Sequence, residues 1–167
     1  MSNKLPFEAI GEMHGQTVLR VCRAVVGSAD ADDAWSETFL SAMKAYASLP
    51  DDANVEAWLV TIAHRRAIDV GRARSRRPTP SDSIADGADR SQCAQPDADL
   101  AAALSALPSK QRQSVAYHYL GGLPYAEVAS ILGGTEAAAR RAAADGIKQL
   151  RRSIPLGTES NAERRHR

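Results

Sequence analysis

VEAWLVTIAHRRAIDVGRARSRR, residues 55–77, opens as a packing helix and closes as a cationic tract. Val55, Trp58, Leu59, Ile62 and Ala63 recur at helical spacing, and Ala67 and Val70 continue the stripe. Thr61, His64, Arg65, Ile68 and Arg72 fall on another face. From Arg65 to Arg77 six Arg stand against one Asp, a local charge of +5. An anchored helix with a guanidinium-rich end is suited to nucleic-acid phosphates. The same pattern also describes a core helix that ends in a solvated charge run. On this stretch alone the two readings stand level.

The residues before it predict two more helices. Phe7, Ile10, Val18, Val21, Cys22 and Val25 form a stripe that begins after Pro6 and stops at Gly27. Asp30, Asp32 and Asp33 suit the positive end of a second helix, whose buried stripe is Trp35, Thr38, Phe39, Ala42 and Tyr46. Leu49 to Asn54 reads as a loop, with Asn54 as N-cap of the quoted helix.

After it the composition changes. Pro78 to Pro96 is rich in Pro, Ser and Asp, and Ile84 is its one large aliphatic residue. Such a stretch cannot offset its ordering entropy by burial, so it reads as a flexible acidic linker. Beyond it Leu100, Leu104 and Leu107 make a short helix stopped by Pro108. Ser109 is expected to cap a helix with Val115, Ala116, Tyr119 and Leu120 inward, broken by Gly121-Gly122. A helix from Tyr125 to Leu132, a turn at Gly133-Gly134 and a last helix capped by Thr135 follow. The division expected is a first domain over 1–77, a linker over 78–98, a second domain over 99–154 and a frayed tail over 155–167.

The second domain carries a helix-turn-helix pattern. Ala129 is small where two helices cross, Gly133 sits where the turn needs positive φ, and Ala139 packs the second helix back. Val128, Leu132, Ile147 and Leu150 complete the apolar set. Thr135, Glu136, Arg140, Arg141, Ala144 and Lys148 are left outward, to meet the major groove and its phosphates. An ordinary helical hairpin with charged outer faces would look alike. For a base reader the last helix is also unusually rich in alanine.

Composition bounds the rest. The 167 residues are 44% hydrophobic and 5% aromatic, which favours helices over strands. No apolar run is long enough for a membrane span and no signal segment opens the chain, so the expected compartment is cytoplasmic. The net charge of +1 conceals segregation: four basic against nine acidic residues over 1–64, one against five over 78–99, seven against three over 100–154. Cys22 and Cys93 fit no ligand spacing, and the four His residues make no metal pattern. No phosphate loop or nucleophile elbow is present. Neither a cofactor nor a catalytic centre is expected.

The chain as a whole resembles the extracytoplasmic-function (ECF) group of bacterial RNA polymerase sigma factors, over nearly all of residues 7–152. FEAIGEMHGQTVLRVCRAVVG is similar to that group's first helix and DADDAWSETFLSAMKAY to its polymerase-binding helix. The quoted stretch resembles the helix that reads and opens the −10 element. ALSALPSKQRQSVAYHYLGGLPYAEVASILGGTEAAARRAAADGIKQLRR resembles the domain that reads the −35 element. The resemblance implies an all-α chain of two small helical domains and a flexible acidic linker, acting in promoter recognition without catalysis. It places Asp33, Glu37, Thr38 and Leu40 on core RNA polymerase. It places Asn54, Thr61, His64, Arg65, Ile68, Arg72 and Arg74 on −10 region DNA, and Thr135, Glu136, Arg140, Arg141 and Lys148 on −35 DNA. The implied partners are core polymerase, promoter DNA and an anti-sigma factor, with the free chain a monomer. Ser36, Arg65, Pro124, Gly134 and Ala139 depart from residues usual in the group, which leaves promoter preference open. Two other readings of the residues are a helix-turn-helix regulator acting without polymerase and a helical interaction module.

Overall fold

A computed structural model of the chain describes residues 4–76 and 96–154. Residues 78–95 of the linker expected over 78–98, the tail expected over 155–167 and Arg77 lie outside those residues, and so does Cys93. Seven α-helices make up the described fold: α1 (Phe7–Val26), α2 (Ser28–Ala45), α3 (Val55–Arg76), α4 (Pro96–Ala106), α5 (Ser109–Val115), α6 (Tyr125–Leu132) and α7 (Glu136–Ser153). Among the described residues there is no strand.

Local chemistry sets most of the boundaries. α1 starts directly after Pro6, whose carbonyl accepts from the Ala9 and Ile10 amides. Gly27 ends α1, and α2 begins at the next residue. The Asn54 Oδ1 accepts from the Ala57 amide at 3.1 Å, the N-cap that the sequence predicts for α3. Thr135 caps α7 in the same way, through the Ala138 amide at 3.1 Å. The turn between α6 and α7 places Gly133 at φ 72°, a left-handed conformation that a Cβ would strain.

α1, α2 and α3 pack around Ile10, Val18, Cys22, Ala34, Phe39 and Leu59. An aromatic group closes one side: Phe7 and Tyr46 lie 5.4 Å apart between ring centroids and Trp35 and Phe39 4.7 Å. The Trp35 indole N–H donates to the Gly15 carbonyl at 2.9 Å, tying α2 to α1. Burying each such large side chain contributes about 1.5–3 kcal/mol before entropy is counted. Burial also pushes the Cys22 thiol up to about 11.

A second core joins α4 to α7, and it does not stop at the second unit. Val21 and Ala24 of α1 and Ala57 and Val60 of α3 belong to the same buried cluster as Leu104, Leu107, Val115, Tyr117 and Leu123. The stripe expected on α3 omits Ala57 and Val60, because it anticipates one packing partner where the helix has two.

Two further expectations are corrected. Ser109 is the first residue of α5 and makes no capping bond; Pro108 precedes it. Tyr119 is 55% exposed, and Tyr117 is the fully buried tyrosine. The cause is local. Ala116 to Leu120 forms a wide π-type turn in which the Gly121 amide reaches the Ala116 carbonyl at 2.9 Å. One extra residue in that turn rotates the following side chains away from α-helical phase.

The alanines of the last helix have a packing role. Ala139, Ala143, Gly146 and Leu150 form its buried side. A Cβ on Gly146 would come within 2.7 Å of a Val115 methyl and 3.3 Å of the Gln111 carbonyl, so α7 lies against α5 at glycine distance. Gly146→Ala should therefore cost about 1–3 kcal/mol by overpacking. Gly134→Ala, with open space at its Cβ, should stay within about 0.5 kcal/mol. Thermal denaturation of both variants checks this.

Candidate nucleic-acid and polymerase interfaces

α3 supplies the first set. His64 is half-buried, and its Nδ1 is 2.6 Å from the Tyr117 hydroxyl. The two rings meet edge to face at 5.6 Å and 87°. Burial first, and the neighbouring Arg65 charge second, lower the His64 pKa from 6.5, so the imidazole is neutral and can accept from the phenol. Burial raises the Tyr117 pKa, which keeps that phenol protonated. Thr61 donates to the Ala57 carbonyl at 2.7 Å and is partly buried. The Asn54 side chain is occupied by its cap.

The remaining α3 residues divide by position. Arg65 and Arg72 are exposed, and neither forms an ion pair among the described residues. Ile68 is 37% exposed on the same helix. The Arg74 Nη2 lies 2.7 Å from the Asp30 Oδ2, linking the end of α3 to the start of α2 as an ion pair without an aligned hydrogen bond. Arg66, which the sequence set leaves out, donates to the Ser41 hydroxyl at 2.7 Å. Of the seven candidates, Arg65 and Arg72 are thus the cations left most open to a phosphate.

α2 supplies the second set. Asp33, Glu37 and Leu40 are exposed on it. Thr38 is not: it is fully buried, and its hydroxyl donates to the Ala34 carbonyl at 2.6 Å. Helical spacing puts Thr38 in the buried stripe and the family resemblance puts it on the polymerase face; in the fold its side chain lies in the stripe. Met43 is 54% exposed, three residues beyond Leu40, and joins that face. The sequence signal for it was the i, i+3 spacing to Leu40.

α7 supplies the third set. Thr135 is exposed, and its hydroxyl oxygen accepts the capping bond from the Ala138 amide. Glu136 and Arg140 pair at 2.7 Å, and the Arg140 guanidinium also lies 5.4 Å from the Tyr125 ring centroid. Arg141 and Lys148 are exposed. Lys148 shares a surface cleft with Tyr119, Ile147, Arg151 and Arg152. Sequence reasoning missed this grouping because it placed Tyr119 inside. Among the described residues no group of His, Cys, Asp and Glu could hold a metal ion, and no helix is long and apolar enough to cross a membrane.

The arrangement is similar to known proteins in both sequence and shape. Residues 11–77 match the family described as Sigma-70 region 2, and residues 97–150 the family described as Sigma-70, region 4. The ECF RNA polymerase sigma factor SigM of Mycobacterium tuberculosis is 28% identical, over 97% of this chain and 84% of its own length. The ECF RNA polymerase sigma factor RpoE of Cereibacter sphaeroides is 35% identical, over 64% of this chain and 63% of its own. The structure of the sigma factor RpoE in complex with the anti-sigma factor NepR from Bartonella quintana covers 90% of this chain and 99% of that one, at TM-score 0.70 and 19% identity. That likeness establishes a shared fold.

The His64 environment generates a pH dependence. Its folded pKa lies below 6.5, so the unfolded chain takes up a proton first as the pH falls. Stability from this site is complete above about pH 6.5 and declines below it. The thermal midpoint should fall between about pH 7.5 and 5.5, and His64→Gln should flatten that slope. Equal slopes in the two proteins would exclude His64 as the source.

Proposed function

We propose a division of labour for a chain that belongs to the sigma-70 family of RNA polymerase sigma factors, in its extracytoplasmic-function group. As a member it is an alternative sigma factor: it directs bacterial core RNA polymerase to particular promoters and starts transcription there. The two matched regions account for 121 of the 167 residues, in the order that the group requires.

On this reading the exposed side of α2 docks on polymerase. Asp33 and Glu37 offer charge to a basic surface, and Leu40 and Met43 offer apolar area beside it. The buried Thr38 holds the helix in place. α3 then meets the −10 region, with Arg65 and Arg72 on phosphates and His64 and Ile68 beside the opened strand. Unstacking a base costs a few kcal/mol, which needs both cation attraction and a surface for the released base. α7 meets the −35 duplex through Arg140, Arg141 and Lys148. Its exposed alanines favour reading by contact and phosphate position over base-edge hydrogen bonds.

The observation that carries the reading is the makeup of α3. Its apolar sides are buried, and its remaining side is a strip of arginines next to a neutral histidine. A regulator acting without polymerase would have no use for the acidic and apolar face of α2. The reading assigns the chain no reaction of its own and a place in the cytoplasm beside polymerase.

In transcription assays with core polymerase, on a promoter selected by the wild-type protein, Arg65→Ala and Arg72→Ala should each lower open-complex formation by about ten-fold. Their affinity for core should change less than about two-fold. Asp33→Lys with Glu37→Lys should do the reverse. Loss of core binding by Arg65→Ala would sink the assignment of α3.

A further inference from the structure

Arg140 and Arg141 are adjacent on α7 and differently held. The Arg140 Nη2 donates to the Glu136 Oε1 at 2.7 Å, and its guanidinium lies 5.4 Å from the Tyr125 ring centroid. Arg141 is exposed, with neither an ion pair nor an aromatic ring beside it among the described residues. The two holds on Arg140 differ in kind. Glu136 takes an N–H donor and sets a negative charge where a phosphate would come. An aromatic face attracts a guanidinium without taking a donor, so the fork stays free for a bidentate contact. A guanidinium already oriented on a ring also loses less freedom when it meets its acceptor.

Tyr125 is itself fixed from behind. Its ring stacks on the His118 imidazole at 3.8 Å between centroids, with 13° between the planes. His118 is anchored in turn: its Nδ1–H donates to the Leu123 carbonyl at 2.7 Å, and the Tyr119 ring meets it edge to face at 4.8 Å and 85°. The wide turn over Ala116–Leu120 makes this possible. The Gly121 amide closes that turn on the Ala116 carbonyl, and the added residue shifts the phase of His118, which comes to lie against Tyr125 at the start of α6.

We propose that His118 and Tyr125 are positioning residues for the −35 duplex: resting on the −35 role given to α7 above, their stack holds the Arg140 guanidinium in the pose in which it meets a phosphate. The Glu136 bond is the one exchanged when DNA arrives. The Tyr125 face keeps the guanidinium from swinging free during the exchange, and neither ring has to touch DNA.

The test uses holoenzyme reconstituted from core polymerase and the full chain, and reads its affinity for a fluorescein-labelled promoter duplex selected by the wild-type protein. Arg140→Ala should weaken binding about five- to ten-fold and lower the salt slope by about one. Tyr125→Leu should weaken it about two- to five-fold, the range of an exposed cation–π contact, with the slope kept. Tyr125→Phe, which preserves the ring face, should restore the affinity to within about two-fold of the parent. His118→Leu should follow Tyr125→Leu, and it decides the matter alone if Tyr125→Leu does not fold. In the Arg140→Ala background both leucine substitutions should lose their effect, since nothing is left to position. In the free chain, nitrogen-15 relaxation should show the Arg140 Nε–H more mobile in Tyr125→Leu than in the parent, with Arg141 unchanged. Equal losses for Tyr125→Phe and Tyr125→Leu would make the hydroxyl a DNA contact and overturn the proposal. Losses that add to that of Arg140→Ala would refute the positioning alone. An Arg140→Ala variant with the affinity and slope of the parent would refute the −35 role of Arg140, and the positioning with it.

Discussion

α3 is held from two sides, and that constraint decides which of its side chains remain for anything else. Leu59 and Ala63 face the core of the first unit, while Ala57 and Val60 face the core shared with the second. At 3.6 residues per turn, two buried sides leave one continuous strip. Arg65, Asp69, Arg72 and Arg76 occupy it at offsets of four, three and four, and all four are exposed. The cationic character of this helix is thus a result of geometry as much as of composition. Packing covers most of the apolar residues and leaves a ridge of three guanidinium groups and one carboxylate.

Much of this was legible in the sequence because it depends on short-range chemistry. Asn54 and Thr135 cap their helices, Gly133 takes the left-handed turn, and the apolar stripes of α1 and α2 are buried as their spacing predicts. These features need only residues within a few positions of one another. Two features that escape a sequence reading have non-local or geometric causes. Ala57 and Val60 are buried by a unit that follows the linker, and no window around α3 contains that information. Tyr117 and Tyr119 exchange places because a wide turn breaks the α-helical count. Met43 is different: its i, i+3 spacing to Leu40, with Trp35, Phe39 and Ala42 inward, is a local signal that the sequence carries.

The candidate sites follow the same division. Arg65, Arg72, Arg141 and Lys148 were read as outward cations and are exposed. Thr38, Asn54 and Thr135, expected as contact residues, each also bond the backbone of their own helix: Thr38 donates to a carbonyl from a fully buried position, while Asn54 and Thr135 accept an amide through one oxygen at exposed positions. Small polar side chains near helix starts and turns readily bond local backbone, which competes with any outward role. Arg74 shows a related ambiguity at longer range. Its charge suits a phosphate and also suits Asp30, and only the three-dimensional arrangement assigns it to the carboxylate.

Cys22 carries a last consequence. Thiols react with peroxide and disulfides as thiolates, and a pKa near 11 in place of 9.0 lowers the thiolate fraction roughly a hundred-fold at neutral pH. The side chain is also sealed between Ile10, Val18 and their neighbours, with 3% of its surface exposed. At Cys22 the first unit is therefore silent toward thiol oxidation: the side chain is too protonated to attack and too enclosed to be reached.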